Sequence, residues 1–295
     1  VRAGLYNSAA RMELYRQNVR AIAEGVDTYW IGKPVRTGIG QNYNLDFGGG
    51  DEQFRYTMNL SYNSVAGAMK GSYRNNFNGT LSISYLLKQF RFMNTFSLGL
   101  NNSEESPYGT FSDYVTLNPY WYPYDEEGRL VQFFSTFGSE TNVVPQANPL
   151  WEASINKFDK TKYTNIRNTF RVEWDVVKGV KLSTNFGYTS QTDRDDRFVP
   201  KSSNDFINTT DPDAAGSYTW GYREMHSWQL GFTGSYGNTF GRHSVFLGLD
   251  GSLFDTKNLG YSLWVRGFAN DKLTDISNAA GFATERPSAT DTQSR

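Results

Sequence analysis

The chain of 295 residues contains no cysteine, and its 29 Lys and Arg side chains nearly balance 30 Asp and Glu, giving a formal net charge of −1 at pH 7. This balance excludes the basic excess of a nucleic-acid-binding domain, and the lack of cysteine excludes a disulfide framework and a thiolate metal site. A mean hydropathy of −0.59 and the absence of any run of about 18 apolar residues exclude a transmembrane helix. Strands that cross a membrane leave a much weaker hydropathy signal than helices do, so these observations do not exclude a transmembrane β-barrel.

The first periodic segment predicts an amphipathic helix over residues 8–23. Four apolar residues recur at three- and four-residue spacing and form one stripe: Met12, Tyr15, Val19 and Ile22. Asn7 or Ser8 can cap the start, and Gly25 suits the left-handed residue just past the end. Two interpretations follow. The favoured one is a short helix docked on the protein's own sheet, and the other is an amphipathic segment at a domain junction or partner surface.

Residues 53–100 show the clearest pattern of the chain, an alternation of apolar and polar residues. A period of two places one set of side chains on each face of a sheet, so each strand is apolar on one face and polar on the other. The segment predicts three strands with an apolar set rich in aromatics: Phe54, Tyr56, Met58, Leu60 and Tyr62; Phe77, Leu81, Ile83 and Tyr85; Phe90, Phe92, Phe96, Leu98 and Leu100. A weaker strand over 38–47 precedes them and ends in a glycine turn at 48–51.

The same alternation returns later and predicts about eight strands in all, with every second connection short. The later strands cover 166–176, 180–189, 220–236 and 245–253, the last extending toward Trp264, with long loops at 101–164 and 190–217 and a polar tail from Asn270. This layout is typical of an all-β, antiparallel up-and-down meander with tight turns at one end and long loops at the other, as in outer-membrane barrels. A soluble β-sandwich also alternates, but it has no reason to collect its long loops at one end. The barrel is therefore favoured, and a soluble all-β domain stays open.

Neither of the two histidines is placed for catalysis or metal binding. His226 and His243 share the parity of the apolar residues around them, and neither has a histidine or cysteine partner at metal-ligand spacing. Carboxylates gather in loops, where solvated turns are expected, and DPDAAG at 211–216 lacks the ligand repeat of a calcium loop. We therefore expect no enzymatic activity, no cofactor and no metal site, while calcium binding in the loops stays open.

Charged residues on the polar side of the strands are candidates for lining the lumen of a barrel: Arg55, Arg91, Arg167, Arg171, Glu173 and Lys181. Such residues can tune permeation or hold a plug, and they can equally be a simple solvated lining. The pattern leaves both interpretations open.

Several motifs in the right order resemble the SusC/RagA-like family of TonB-dependent outer-membrane transporters. The stretch GIGQNYNLDFGGGDEQFRYTMNLSYNSVAGAMKGSYRNNFNGTLSISY is similar to the start of that family's barrel, and SPYGTFSDYVTLNPYWYPYDEEG and QANPLWEA are similar to its long loop. GVDTYW is similar to its plug-to-barrel junction. The resemblance covers nearly the whole chain and implies a junction with a short helix over 1–37, followed over 38–295 by part of a barrel of about 22 strands.

The resemblance implies a function that depends on parts outside this chain. Members of the family carry a TonB box and a plug before this region and further strands after it, so the chain is expected to be a fragment that begins at Val1 within a longer protein. The implied activity is import of oligosaccharides or oligopeptides across the bacterial outer membrane. The implied partners are a SusD-like surface lipoprotein, TonB–ExbB–ExbD, outer-membrane lipid and the substrate, with no nucleic acid.

The long loop supplies candidate residues for contact with substrate or with the lipoprotein lid: Tyr114, Tyr120, Trp121, Tyr122, Tyr124 and Trp151. Because these aromatics match the family pattern, a role in the loop core or against the lid is favoured over stacking on a sugar. Two other function classes stay open, a passive outer-membrane porin and a soluble β-rich binding module. The nature of the substrate, glycan or peptide, also stays open.

Overall fold

The computed structural model describes residues 9–137, 143–283 and 286–295. Its helices are α1 (Ala9–Ala23), α2 (Ser112–Val115) and α3 (Pro149–Ser154). Its strands, in chain order, are β1 (Ile39–Gly50), β2 (Phe54–Ala66), β3 (Tyr73–Leu87), β4 (Phe90–Glu104), β5 (Phe133–Phe137), β6 (Val143–Ala147), β7 (Phe158–Val177), β8 (Val180–Val199), β9 (Ser217–Phe240), β10 (His243–Phe268), β11 (Ala279–Phe282) and β12 (Ser288–Ser294). Among these described residues, no helix is both long and apolar enough to cross a membrane.

Nearly all the strands form one antiparallel sheet of ten. The order is β1-β2-β3-β4-β7-β8-β9-β10-β11, with β12 also paired to β10, while β5 and β6 form a separate hairpin. Long strands that follow one another in the chain lie side by side, and the connection from β4 to β7 passes through the β5–β6 hairpin. The predicted up-and-down meander is confirmed, and its eight or so strands correspond to β1–β4 and β7–β10.

Short turns collect at one end of this sheet, which we call the short-turn end; the opposite end is the long-loop end. The β1–β2 turn shows why the sequence closes tightly there. The Asp51 carboxylate accepts the N–H groups of Gln53 (2.8 Å) and Phe54 (2.7 Å), and these backbone hydrogen bonds lower the pKa of Asp51. Gly50 has a φ of 135°, and a Cβ there would lie 2.0 Å from the Phe54 carbonyl oxygen, so only glycine fits.

One face of the sheet is apolar across all the long strands. The register places Met58, Leu81 and Phe96 side by side on β2, β3 and β4. A second row crosses the other half of the sheet: Phe170, Phe186, Leu230 and Leu253. No other layer covers these side chains in the described part of the chain, and Phe96 is 38% exposed. An uncovered apolar face of this extent is not a property of a monomeric soluble protein.

The opposite face consists mainly of Ser, Thr, Asn and Gly. Hydroxyl groups pair between neighbouring strands, as between Thr80 and Ser97 and between Ser82 and Thr95, both at 3.3 Å. Every charged residue predicted to lie on the polar side does so: Arg55, Arg91, Arg167, Arg171, Glu173 and Lys181. The sheet is therefore amphipathic over its full width.

The strands next to the two long loops run further than predicted. β4 continues to Glu104, β7 begins at Phe158 and β8 continues to Val199, so the loops cover 105–157 and 200–216 rather than 101–164 and 190–217. The apolar alternation stops near residue 190, but charged residues continue the strand by pairing with neighbouring strands. Arg223 of β9 lies 3.1 Å from Asp195, and Arg197 lies 3.9 Å from Asp159 of β7.

Two further predictions about the chain ends differ from the structure. The tail after Asn270 is not without pattern, because β11 and β12 both pair with β10 through backbone hydrogen bonds that need no apolar periodicity. The helix is present over Ala9–Ala23, and residue 8 lies outside the described residues. Its packed face, however, is the one with Arg11 and Leu14, at 5% and 4% exposure. The predicted apolar stripe is exposed at every position: Met12, Tyr15, Val19 and Ile22.

Candidate functional site

The long loop 105–157 has a hydrophobic core that it shares with Trp30. Trp30, Tyr114, Leu117 and Phe134 are buried together, with the partly buried Tyr108, Trp121, Val131 and Leu150 around them. The Trp30 ring meets Phe134 edge-on at 5.4 Å, and Trp121 stacks on Phe134 at 5.2 Å. Aromatic pairs at these distances add to the stabilisation from burial alone. The loop is therefore an ordered unit whose central residue comes from a distant part of the sequence.

Residues 26–37 form a strap that ties α1 to the long-loop end of the sheet. The Thr28 N–H donates to the Pro119 carbonyl (2.8 Å), and the Trp30 indole N–H donates to the Asn118 carbonyl (2.9 Å). Further along, the Lys70 N–H donates to the Pro34 carbonyl at 2.7 Å, next to the β2–β3 connection. The strap thus closes over the loop before the chain enters β1. Whether residues 1–37 also act as a plug-to-barrel junction stays a prediction.

Asn148 explains the QANPLWE motif of the loop. Its side chain is fully buried, donates to the carbonyls of Pro123 (3.2 Å) and Val131 (2.7 Å), and accepts the N–H of Leu150 (3.1 Å). The last of these bonds caps α3, which has Pro149 in its first turn. A single amide therefore holds three parts of the loop in register.

The two long loops bind each other through α3. The Trp151 indole N–H donates to the Ser202 carbonyl at 3.1 Å. Glu152 accepts the Ser203 hydroxyl at 2.9 Å and the Asn204 N–H at 2.6 Å. Loops 105–157 and 200–216 and the strap therefore form one assembly, which we call the loop assembly.

Three tyrosines form an exposed ridge on the loop assembly, and this ridge is the candidate site. Tyr29 of the strap is 69% exposed, and Tyr122 and Tyr124 of the long loop are 60% and 38% exposed. Tyr122 and Tyr124 meet edge-on at 5.7 Å. Tyr122 is a wall of two shallow clefts, one of about 430 Å³ with Asp27, Tyr29 and Lys33, and one of about 530 Å³ with Tyr124, Asp125 and Glu126.

Carboxylates border the tyrosine ridge on both sides. Asp125 accepts hydrogen bonds from the backbone N–H of Arg129 and from its guanidinium Nε–H, both at 2.8 Å. These bonds lower the pKa of Asp125, and the backbone bond has the larger effect. Asp125 is therefore ionised at neutral pH. Apolar ring faces beside fixed acceptors can hold a ligand that presents both a flat apolar surface and hydrogen-bond donors.

The predicted loop residues divide into two groups. Tyr114 is 1% exposed, Trp121 packs on Phe134 and Trp151 binds the second loop, so these three build the assembly and offer little surface to a ligand. Tyr120, Tyr122 and Tyr124 are exposed. Tyr29 was not among the predicted residues. The GVDTYW motif contained the signal, an aromatic pair after a helix, but only the fold brings Tyr29 next to Tyr122.

Replacing Tyr114 with phenylalanine is expected to leave the fold intact and to stabilise it. The buried Tyr114 hydroxyl has no hydrogen-bond partner among the described residues, and burial raises the pKa of this phenol. A buried polar group without a partner costs about 1–3 kcal/mol. Urea or thermal unfolding should therefore show Tyr114→Phe equal to or above the wild type, and Tyr114→Ala clearly below it. A loss of stability in Tyr114→Phe would mean that the hydroxyl has a partner.

Four of the six predicted charged residues of the polar face form ion pairs near the short-turn end, and Arg55 there donates from its Nε to the Asp51 carbonyl at 3.3 Å. Glu173 lies 3.5 Å from Arg91 and 2.9 Å from Arg171, and Lys181 lies 3.5 Å from Asp175. Arg167 lies further along β7, where its Nε is 3.4 Å from the Thr189 hydroxyl. The face thus carries a charge cluster with three cations and two carboxylates at one end, and a mainly hydroxyl and amide surface in the middle.

The parity prediction for the histidines is confirmed at His226. His226 is on the apolar side of β9, with Nε2 at 2.6 Å from Glu224 and Nδ1 at 3.0 Å from the Tyr188 hydroxyl. Within the described ranges, no group of three or more His, Cys, Asp or Glu is placed to hold a metal ion.

Together, these features define a sector of β-barrel wall with a structured loop assembly at one end. Solved structures of the RagAB peptide transporter have the same fold: one matches with a TM-score of 0.72 at 15% identity, covering 90% of this chain and 30% of that chain. The RagAB peptide importer in its "closed-closed" and "open-open" states matches with TM-scores of 0.71 and 0.72 over the same shares. No protein-family model and no curated protein matches the chain.

The resemblance inferred from the motifs is thereby confirmed at the level of the fold. The chain spans about 30% of the length of the solved chains that it matches.

Proposed function

We propose that this chain is part of the wall and the external loops of an active transporter in the bacterial outer membrane. The carrying observation is the uncovered apolar face, which runs across β1–β4 and β7–β10 and backs onto a polar face. When such a sheet is closed by further strands into a barrel, its backbone groups are satisfied internally, its apolar side chains face lipid and its polar face encloses a lumen. The short-turn end then faces the periplasm and the loop assembly faces the exterior.

The polar face supports passage of a hydrogen-bonding substrate. Its middle is lined by hydroxyl and amide groups, with Arg167 among them, and the charged residues near the short-turn end are held in ion pairs with a small cationic excess. Such a surface can exchange hydrogen bonds with a polar ligand without holding it tightly. Arg55, Arg91, Arg171, Glu173 and Lys181 are proposed to line the lumen and contact a plug.

The proposed substrates are oligopeptides or oligosaccharides, carried with TonB-derived energy and without catalysis by this chain. The solved chains with the same fold belong to a peptide transporter, which supports peptides as the first class to test. A SusD-like lipoprotein at the loop assembly, TonB–ExbB–ExbD and outer-membrane lipid are the proposed partners. The tyrosine ridge is the proposed contact with the substrate or with the lipoprotein.

Uptake in a deletion strain tests the proposal. Cells that lack the gene are expected to lose growth on one class of peptide or glycan, and the loss should be repeated when TonB is deleted but the gene is kept. Growth that survives removal of TonB would indicate a passive channel. Recovery of the protein from the soluble fraction without detergent would contradict both membrane functions.

Removing the Tyr122 ring is expected to weaken uptake without affecting assembly. An aromatic contact contributes about 0.5–1.5 kcal/mol, which corresponds to roughly two- to tenfold in affinity. Tyr122→Ala should therefore raise the substrate concentration for half-maximal uptake by that factor. Tyr120→Ala is the matched control, because Tyr120 is 39% exposed in the same aromatic run but lines neither cleft. Equal uptake by wild type and Tyr122→Ala for every transported substrate would show that the tyrosine ridge does not contact the substrate.

A further inference from the structure

We infer that the outward side of β7 and β8, beyond the apolar face, binds the phosphorylated headgroup of an outer-leaflet glycolipid. The inference rests on the proposed function, because it needs the apolar face to lie in the outer membrane. Its centre is a pair of cations, Lys162 on β7 and Arg194 on β8, which lie directly opposite each other in the sheet register. Like charges in opposed positions destabilise a sheet unless an anion lies between them.

The carboxylates nearby do not neutralise Lys162. Asp196 is engaged by Arg194, at 2.7 Å and 3.2 Å, and by the Tyr218 hydroxyl at 2.6 Å. Burial, followed by the bond to Asp196, raises the pKa of Tyr218 to about 12, which keeps the phenol protonated as a donor. Lys162 is exposed and makes no ion pair or hydrogen bond with any part of the chain that the structure describes. One cation of the pair is therefore available.

A neighbouring lysine adds to the positive charge of this patch. Lys160, two residues before Lys162 on the same side of β7, lies 3.9 Å from Glu104 and 4.8 Å from the centre of the Phe158 ring. Both side chains of that loose ion pair are partly exposed. Such pairs contribute little and exchange readily for a stronger anion. Phosphate has three acceptor oxygens and suits a lysine and an arginine together.

An aromatic cleft lies next to the cations on the same side of the sheet. It has a volume of about 470 Å³, and its walls include Phe158, Tyr218, Trp220 and Leu263, with Arg194 at its edge. Thr274, Asp275 and Ile276 of the segment after β10 also line it, so the end of the cleft at Asp275 suits the sugar hydroxyls and the end at Arg194 suits the phosphate. The cleft is firmly built, because Tyr218 belongs to the buried cluster of Phe198, Val265 and Phe268. Aromatic and aliphatic walls beside an arginine fit a sugar ring that carries a phosphate.

The height of the patch above the apolar face favours a glycolipid over a phospholipid. On the outward side of β7 the apolar face ends at Ile166; Thr164, Lys162 and Lys160 follow it, and Phe158 beyond them belongs to the aromatic cleft. Lys162 therefore lies four residues beyond Ile166, about 13 Å along the strand. With a strand tilt of about 40°, this corresponds to roughly 10 Å along the membrane normal. Phospholipid headgroups extend only about 5–8 Å beyond the hydrocarbon on each side. A headgroup built of sugars reaches higher.

Native mass spectrometry of the full protein, purified in detergent from its own outer membrane, tests this inference. The protein is mixed with a phosphorylated outer-leaflet glycolipid or with the same glycolipid after enzymatic dephosphorylation. The wild type is expected to retain the phosphorylated form at least fivefold better, and Lys162→Gln should abolish this difference. Lys162→Arg should keep it, which separates charge from any effect on folding. Lys178→Gln, at the short-turn end, is the matched control and should bind like the wild type.

Three results would overturn the inference. They are equal retention of the two glycolipid forms, equal retention by Lys162→Gln, and displacement of the glycolipid by millimolar inorganic phosphate or by anionic phospholipid. The proposed function fails in a different way, since it predicts that the protein fractionates with the outer membrane and imports substrate. A protein that inserts in the membrane and imports substrate but does not bind the phosphorylated glycolipid would contradict only the inference.

Discussion

Arginine at position 96 is expected to prevent stable insertion of the protein in the outer membrane. Phe96 lies in the middle of β4 on the apolar face, beside Leu81 of β3, and is 38% exposed. An arginine on the lipid side of a barrel near the membrane centre costs about 2–4 kcal/mol. Phe96→Arg should therefore reduce the heat-resistant, protease-protected form in isolated outer membranes several-fold.

Thr95→Arg is the matched control for this effect, since it introduces the same side chain one residue away. Thr95 lies on the polar face beside Ser82 and Thr169, with no charged residue next to it on β4. The added arginine would extend into a solvated lumen, so insertion should match the wild type. If Thr95→Arg failed to insert and Phe96→Arg inserted normally, the two faces would have been assigned the wrong way round.

Removal of the Trp30 side chain is expected to open the loop assembly and leave the sheet intact. Trp30 is 3% exposed at the centre of the core with Tyr114, Leu117 and Phe134, and its indole also binds Asn118. Truncation of a buried tryptophan to alanine costs about 3–5 kcal/mol. In Trp30→Ala, proteases added to whole cells should therefore cut within residues 105–157 much faster than in the wild type, while the barrel still resists heat.

Tyr29→Ala provides the control for the strap. Tyr29 is adjacent to Trp30 but 69% exposed, so its removal should leave protease resistance unchanged and affect only binding at the ridge. If Trp30→Ala resisted proteolysis as well as the wild type, the strap would not be what holds the long loop in place. Loss of uptake in Tyr29→Ala with intact loops would show that the strap's part of the ridge contributes to binding.

The strands were predictable because one property, the parity of apolar residues, determines both their existence and their faces. The register confirms that parity across β2, β3 and β4 in the row of Met58, Leu81 and Phe96, while Asn94 of β4 interrupts the apolar face in the next row, opposite Ile83. The strand ends were not predictable from it, because β7 and β8 continue beyond the apolar face. In those extensions, ion pairs such as Arg197 with Asp159 link neighbouring strands, and the sequence shows no apolar alternation that would predict a strand.

The candidate site was only partly predictable, because the aromatic residues of the loop divide by tertiary contact. Trp121 and Tyr122 are neighbours in sequence, yet one packs on Phe134 and the other is 60% exposed. Both are aromatic residues of the same run, so neither residue type nor spacing distinguishes the buried one from the exposed one. Trp30 lies 88 residues from Asn118, its hydrogen-bond partner, so no local pattern reveals that the strap completes the core.

Scanning β4 with single cysteines and nitroxide spin labels tests the central claim, that the apolar face meets lipid, most directly. The chain has no cysteine of its own, so it contributes no background labelling. In the protein reconstituted in bilayers, labels at Phe96 and Leu98 should be relaxed mainly by lipid-soluble oxygen. Labels at Thr95 and Ser97 should be relaxed mainly by a water-soluble nickel chelate, giving a period of two along the strand. Equal access of the nickel chelate to all four positions would contradict the account.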